Sequence, residues 1–313
     1  MKLSIIIPTY NREEVLCDTI ESVLKEISNS SCAKESEIFI IDQTLKHKEA
    51  VSQYLNSLSS YSIIKYMYVP IANLPNARNV GISSASGEII CFLDDDIKLH
   101  VGFFNQLMKR YEDENNMSVV GLPILKNSSG CNILLQSGNP LKQFIKRSLL
   151  KILGHGKSSH ISRLGFNLSN RSDAKAGFAD TGMGCCMSFR KTVFETVGLF
   201  DVNYIGNALR EETDMFCRMK KNGLYVFFDP QIILDHIMSN SGGCRSEKSE
   251  EYWKNYFYNN YYFFRKNFNF PQWYINCLLF FDIRALKKTK YVFKEILEES
   301  WAKTTNVLFN SSR

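Results

Sequence analysis

The sequence lacks any apolar run of the roughly 18 to 20 residues that a membrane-spanning helix needs. The longest candidate, Tyr274 to Phe281, reaches about half that length. The opening hydrophobic stretch, Leu3 to Ile7, stops at Pro8, too short for a signal peptide or an anchor, and reads as a buried strand. No Cys-x-x-Cys pair occurs among the nine cysteines, and the adjacent Cys185 and Cys186 cannot easily bridge to each other. Reduced thiols and a cytoplasmic protein are therefore expected. Internal repeats and low-complexity tracts are absent. The charge imbalance is small as well: a formal +6 and a pI near 8.7 suit a phosphate-bearing ligand or an anionic membrane face and do not imply nucleic acid. What is present, 313 residues with 44% hydrophobic and 22% charged, suffices for a full core, and one large domain with a tail is the expectation.

The first 120 or so residues alternate short apolar runs with helical patterns. Strands are expected at Leu3–Ile7, Ile38–Ile41, Ile63–Val69, Ile89–Leu93 and Val119–Leu122, and helices at 13–27, 46–58, 76–85 and 101–114. That rhythm predicts an α/β fold with a single doubly wound, mostly parallel sheet. Ligands of such sheets bind beyond the carboxyl ends of the strands. The residues there are polar: Pro8 to Arg12, Asp42 to Thr44, Pro70 to Asn79, and Asp94-Asp95-Asp96.

Residues 123 to 180 lose the rhythm. They hold one amphipathic basic stretch, 141–153, with Leu141, Phe144, Ile145, Leu149 and Ile152 on one helical face and Lys142, Lys146, Arg147 and Lys151 on its flanks. Such a helix can rest on anionic headgroups or be an ordinary surface helix with a solvated face. Order returns from residue 182, with a helix at 211–222, a strand at Tyr225–Phe228 and an aromatic-dense, helical tail. The division expected is 1–246 for the main domain, split into a nucleotide-binding half (1–122) and an acceptor-binding half (123–246), with 247–313 as a helical extension.

Three constellations carry chemistry. The acids Asp94, Asp95 and Asp96 close an apolar strand, where like charges repel unless a cation is present; a hard divalent ion, Mg²⁺ or Mn²⁺, answers that conflict. Alternation along the strand lets Asp94 and Asp96 face one side. In Arg210-Glu211-Glu212-Thr213-Asp214, a helical wheel puts Glu212 near the centre of the apolar face with Glu211 and Asp214 off to the side, so Glu212 is the candidate general base. His236 is a candidate metal ligand, although a lone histidine beside apolar residues is commonly a core residue. Arg245, after Gly242-Gly243, can grip a diphosphate. Arg78 and Asn79, opening a helix, can hold nucleotide oxygens.

Together, SIIIPTYNR (4–12), IIDQT (40–44), NLPNARNVGI (73–82), GEIICFLDDD (87–96), GMGCCMSFRKTVFETVGLFD (182–201) and REETDMFCRMKKNG (210–223) resemble the family-2 glycosyltransferases of the GT-A fold over about residues 1–246. The resemblance implies an inverting, metal-dependent transferase. It would move a sugar from a nucleoside diphosphate, with UDP-sugars favoured, to a hydroxyl of a saccharide or lipid-linked saccharide. It further implies that Pro8, Tyr10 and Asp42 frame the base, that Arg78 holds the nucleotide, and that Asp94 and Asp95 contact it; Arg12 and Asn79 are counted with them as nucleotide-sugar-binding residues. Asp96 would ligate the metal, completed by His236; Gly184 would line the donor-sugar space, and Glu212 would match the family's base. Two departures stand out: the family's base is commonly Asp, and Cys186 replaces the usual Asn or Ala before the methionine of the glycine loop. A Gln-x-x-Arg-Trp motif is missing, which favours single-sugar transfer over processive synthesis.

A nicotinamide dehydrogenase would need a Gly-x-Gly-x-x-Gly turn after the first strand, where Pro8-Thr9-Tyr10-Asn11-Arg12 stands. An aspartate-nucleophile phosphatase would carry its nucleophile after the first strand, whereas the acids here follow the fourth. A catalytically silent nucleotide-sugar binder is the closer rival, since it would keep the acids and make Glu212 structural. The protein is expected in the cytoplasm, in reversible contact with the inner face of the membrane.

Overall fold

The computed structural model describes residues 1–31, 36–126, 158–163, 165, 167–169, 175–237, 242–243, 250–280 and 293–310. The basic stretch 141–153 and Arg245 lie outside these residues. The strands are β1 (Leu3–Thr9), β2 (Ser36–Asp42), β3 (Ile64–Tyr68), β4 (Ile89–Leu93), β5 (Ile97–Leu99), β6 (Ser118–Lys126), β7 (Ser159–Ile161), β8 (Asn167–Ser169), β9 (Gly177–Ala179), β10 (Cys186–Arg190) and β11 (Val226–Ile237). The helices are α1 (Glu14–Ser28), α2 (Glu49–Ser57), α3 (Leu74–Ser84), α4 (Phe103–Arg110), α5 (Thr192–Val197), α6 (Glu211–Lys221), α7 (Glu250–Phe268), α8 (Gln272–Phe280) and α9 (Phe293–Asn310).

The main sheet runs β3-β2-β1-β4-β10-β6-β11-β5, with β9 also on β11. Its first four strands are parallel, as the alternating pattern predicts. Strand β10 then enters antiparallel between β4 and β6, so the sheet as a whole is mixed. Period-two alternation splits β1 between two cores: Leu3, Ile5 and Ile7 pack with α1, α2 and α4 on one face. Ile6 packs with α3, α5 and α6 on the other. Each such fully buried Ile or Leu contributes about 1.5–3 kcal/mol.

Helix α3 begins where Asn73 caps it, its side chain accepting from the Asn76 backbone N–H at 2.8 Å, with Pro75 in the first turn. It comes so near β1 that a Cβ on Gly81 would lie 2.5 Å from the Ile6 side chain. Close approach therefore requires glycine there.

A third, aromatic core joins α7, α8 and α9 to Tyr204 and to Cys217 of α6. Polar side chains fix the same contact. Lys266 bridges Asp201 at 2.6 Å and Asp214 at 2.9 Å. Asn259, fully buried, donates to the Ile205 carbonyl at 2.8 Å and accepts from the Ile205 N–H at 3.1 Å. The extension thus braces the segment that leads into α6.

Candidate active site

Strand β4 is buried along its whole length and ends at Leu93, so Asp94, Asp95 and Asp96 emerge at the mouth of the sheet. Strand β5 follows at once and pairs antiparallel with β11, with His236 in register with Ile97. That pairing, across some 140 positions of sequence, carries His236 to the acids. Its Nε2 lies 3.0 Å from Asp96 Oδ1 and 3.8 Å from Asp94 Oδ2. One ligand atom from each of Asp94, Asp96 and His236 falls within 4.8 Å of the others. Two carboxylates and an imidazole are a donor set for Mn²⁺ or Mg²⁺, so the residues fit the ion the resemblance implies.

Protein cations meet part of the crowding. Arg12 reaches Asp95 Oδ1 through Nε at 3.2 Å and Asp96 Oδ2 through Nη2 at 2.9 Å. Arg12, expected among the nucleotide contacts, lines the cleft, and its guanidinium also neutralises two of these acids. Burial pushes the Asp95 carboxyl up to about 7; Arg12 opposes this, while the negative charges of Asp96 and Asp94 reinforce it. Burial pushes the His236 imidazole down, but Asp96, Cys185 and Asp94 outweigh it and hold its pKa at about 11. A metal would have to displace that proton.

Arg78 is 2% exposed and sits between Phe92 and Phe200, its guanidinium carbon 5.8 and 5.4 Å from their ring centres. Nη1 pairs with Glu211, and Nη2 lies 3.8 Å from Asp94 Oδ1. A Cβ on Gly184 would lie 2.9 Å from Arg78 Nη2, so the glycine loop closes directly over this cation. Arg78, Gly184, Pro8 and Tyr10 all line a cleft of about 370 Å³ together with the three acids. Asn79 does not. Its side chain exchanges two hydrogen bonds with the backbone of Phe200, at 2.8 and 2.9 Å, and is a structural tie.

Helix α6 follows Arg210, whose φ of 78° turns the chain sharply before the first helical residue. The burial of its acids reverses the helical-wheel reading. Glu211 is 2% exposed and Asp214 fully buried, whereas Glu212 is only half-buried. The wheel could not foresee the partners: Arg78 takes Glu211, and Arg218, Lys266 and Asn267 take Asp214. Among the described residues the Glu212 side chain makes no hydrogen bond and no ion pair, and it lines the cleft.

Asp42 departs furthest from its expected place. It is fully buried and absent from the cleft wall. Oδ1 accepts from the Thr44 N–H at 2.8 Å, while Oδ2 contacts His47 Nε2 and the Tyr66 hydroxyl, each at 2.6 Å. The next residue, Gln43, lines the cleft instead. Sequence reasoning also missed Asn207, Ala208, Leu209 and Tyr252, which belong to no motif and reach the cleft only because α7 braces residues 201–214. Gly243 joins the wall by donating its N–H to the Tyr10 carbonyl at 2.8 Å, and a Cβ there would press on Arg12 Nη2 at 2.7 Å.

This α/β fold carries its acidic cluster at the mouth of β4, beyond the carboxyl ends of the parallel strands. Residues 4–198 match Glycosyl transferase family 2, and the chain belongs to that family. Over 174 residues it is 32% identical to the GalNAc(5)-diNAcBac-PP-undecaprenol beta-1,3-glucosyltransferase of Campylobacter jejuni, covering 55% of this chain and 49% of that protein. Over 122 residues it is 32% identical to the poly(ribitol-phosphate) beta-N-acetylglucosaminyltransferase TarP of Staphylococcus aureus, covering 38% and 35%. The matched stretch thus spans half or less of these relatives. Among solved structures, GalNAc-T7 with UDP, GalNAc and Mn²⁺ superposes with a TM-score of 0.59 at 17% identity over 96% of this chain and 56% of the other. The mannosyltransferase PcManGT of Pyrobaculum calidifontis, with GDP-Man and Mn²⁺, gives 0.58 at 11% identity over 99% and 79%. At such identities the likeness is one of fold, and that fold is GT-A.

Proposed function

We propose that the chain is an inverting, metal-dependent glycosyltransferase that moves one sugar from a nucleoside diphosphate, with uridine favoured, to an acceptor hydroxyl. The observation that carries this reading is a single cleft lined both by Asp94 and Asp96, which cluster with His236, and by the carboxylate of Glu212, which has no hydrogen bond or ion pair among the described residues. Asp94, Asp96 and His236 would hold Mn²⁺ or Mg²⁺, and the bound ion supplies positive charge for a departing diphosphate. Arg78, desolvated between two phenyl rings, adds fixed positive charge on the same wall. Glu212 takes the proton from the acceptor oxygen as that oxygen attacks the anomeric carbon; direct displacement inverts the centre. Glu211 is ion-paired to Arg78, and Asp214 is held by Arg218, Lys266 and Asn267, which leaves Glu212 as the base of this helix.

The acceptor is a saccharide or a lipid-linked saccharide of cell-surface polysaccharide or glycolipid assembly, supported by the undecaprenol-linked substrate in the name of the Campylobacter relative. Among the described residues no helix is long and apolar enough to cross a membrane. The reading places the chain in the cytoplasm, touching the inner face of the membrane peripherally, with 1–246 as the transferase domain and 247–313 as its extension.

Glu212→Gln tests the assignment. Donor binding is expected to persist while transfer falls about 10²–10⁴-fold. Calorimetry and a transfer assay with the same donor read both quantities. Unchanged turnover refutes the base. Full turnover after EDTA treatment refutes metal dependence, and a wild type that binds donor without transferring it would be the silent binder.

A further inference from the structure

A second chamber of about 270 Å³ adjoins the first and shares Tyr10, Gln43, Leu74, Asn207, Gly243 and Tyr252 with it. None of the three mouth acids and not Glu212 reaches it. A donor whose diphosphate lies by Arg78 and the acids would place its nucleoside there. The family resemblance gives the base-reading task to Asp42, but that carboxylate is buried and spent on Thr44, His47 and Tyr66.

Gln43 is differently placed. Its backbone N–H donates to the Thr9 carbonyl at 2.9 Å, which anchors it at the end of β1. Its side-chain nitrogen donates to the carbonyl of Ile71 and, at 3.2 Å, to that of Asn73. Carbonyls only accept, so these two partners fix which end of the amide is nitrogen and consume both of its hydrogens. The remaining polar group is Oε1, an acceptor with no donor character.

We propose, on the reading that the chain binds a nucleoside diphosphate, that Gln43 Oε1 rather than Asp42 reads the base and selects one that presents a ring N–H. Uracil and thymine (N3–H) and guanine (N1–H) satisfy it. In the same pose cytosine and adenine turn a ring-nitrogen lone pair on the amide oxygen, and they must shift to offer it their exocyclic N–H instead. Tyr10 and Tyr252 border the same chamber and are aromatic residues of the kind on which planar bases stack.

The test titrates UDP, dTDP, GDP, CDP and ADP with Mn²⁺ into the full chain and into Gln43→Leu, alongside N3-methyl-UDP into the wild type. The wild type is expected to favour UDP, dTDP or GDP over CDP and ADP, and the variant to lose about tenfold for the favoured nucleotide while flattening the preference. N3-methylation costs the same order without any mutation, which keeps the test valid should the variant fold poorly. Equal binding of UDP and N3-methyl-UDP by a wild type that prefers UDP to CDP overturns the Gln43 assignment alone. So does a folded Gln43→Leu with unchanged preference, or a loss of nucleotide affinity in Asp42→Asn that Gln43→Leu does not share. A wild type that binds none of the five overturns the transferase reading itself.

Discussion

Acids stand at both ends of the parallel strands, and the two ends use them for opposite purposes. At the floor, Glu37 near the start of β2 accepts from Ser4 Oγ at 2.7 Å, Ser86 N–H at 2.7 Å, Ser86 Oγ at 2.8 Å and Lys65 Nζ at 2.8 Å. At the mouth, Asp94 keeps 23% of its side chain exposed, with Arg78 and His236 no nearer than 3.8 Å and two further acids beside it. A saturated carboxylate stabilises the fold, whereas a crowded, under-neutralised one marks a candidate ligand site. Helix α6 repeats the contrast within one turn, between engaged Asp214 and Glu212, which has no side-chain partner among the described residues.

The largest expected effect breaks the engaged side. Asp214→Asn takes the buried counter-charge from Arg218 and leaves Lys266 with Asp201 alone, and should cost about 3 kcal/mol in chemical denaturation. Asp94→Asn is the converse: transfer should fall about 10²–10³-fold. Its unfolding midpoint should hold or rise, because a like charge leaves the cluster. A destabilised Asp94→Asn with normal turnover would erase the distinction between the two kinds of acid.

The parallel half was legible in sequence because its signals are local. The apolar runs named β1 to β4 to within two residues of their observed bounds; Asp94 and Asp96 do come together, but through a bend at 95–96 between β4 and β5 and not through continued strand alternation. The rest depended on partners remote in sequence. Arg12 finds Asp95 and Asp96 across more than eighty positions, and Asp42 is withdrawn from the cleft by Tyr66 on the neighbouring strand. The helical wheel failed at Glu211 for the same reason, since Arg78 from α3 made its burial favourable. No local pattern announced that α7, beyond the family-matched residues, would wall the cleft with Tyr252.

That brace supplies the next smaller effect. Asn259→Ala removes both hydrogen bonds to Ile205 and a third to Asn207, and should cost about 1–3 kcal/mol. If α7 shapes the cleft, KM for donor or acceptor rises as Asn207, Ala208 and Leu209 shift, while Glu212-dependent chemistry persists in the bound state. A loss of stability with both KM values unchanged would make α7 a scaffold only.

The smallest effect sharpens the floor. Burial would raise the Glu37 pKa, but Lys65, Ser4 and Ser86 together bring it from 4.5 down to about 2. A folded pKa below the unfolded one means that the stabilisation is fully present above about pH 4.5 and disappears as pH falls toward about 2. Half of the Lys65 side chain is exposed, which screens its share, so the contribution should be about 1–2 kcal/mol. Glu37→Gln should therefore be less stable than wild type at neutral pH, and the two stability curves should converge as acid is added across that window. Curves that stay parallel would mean that the floor acid acts through packing and not through its charge.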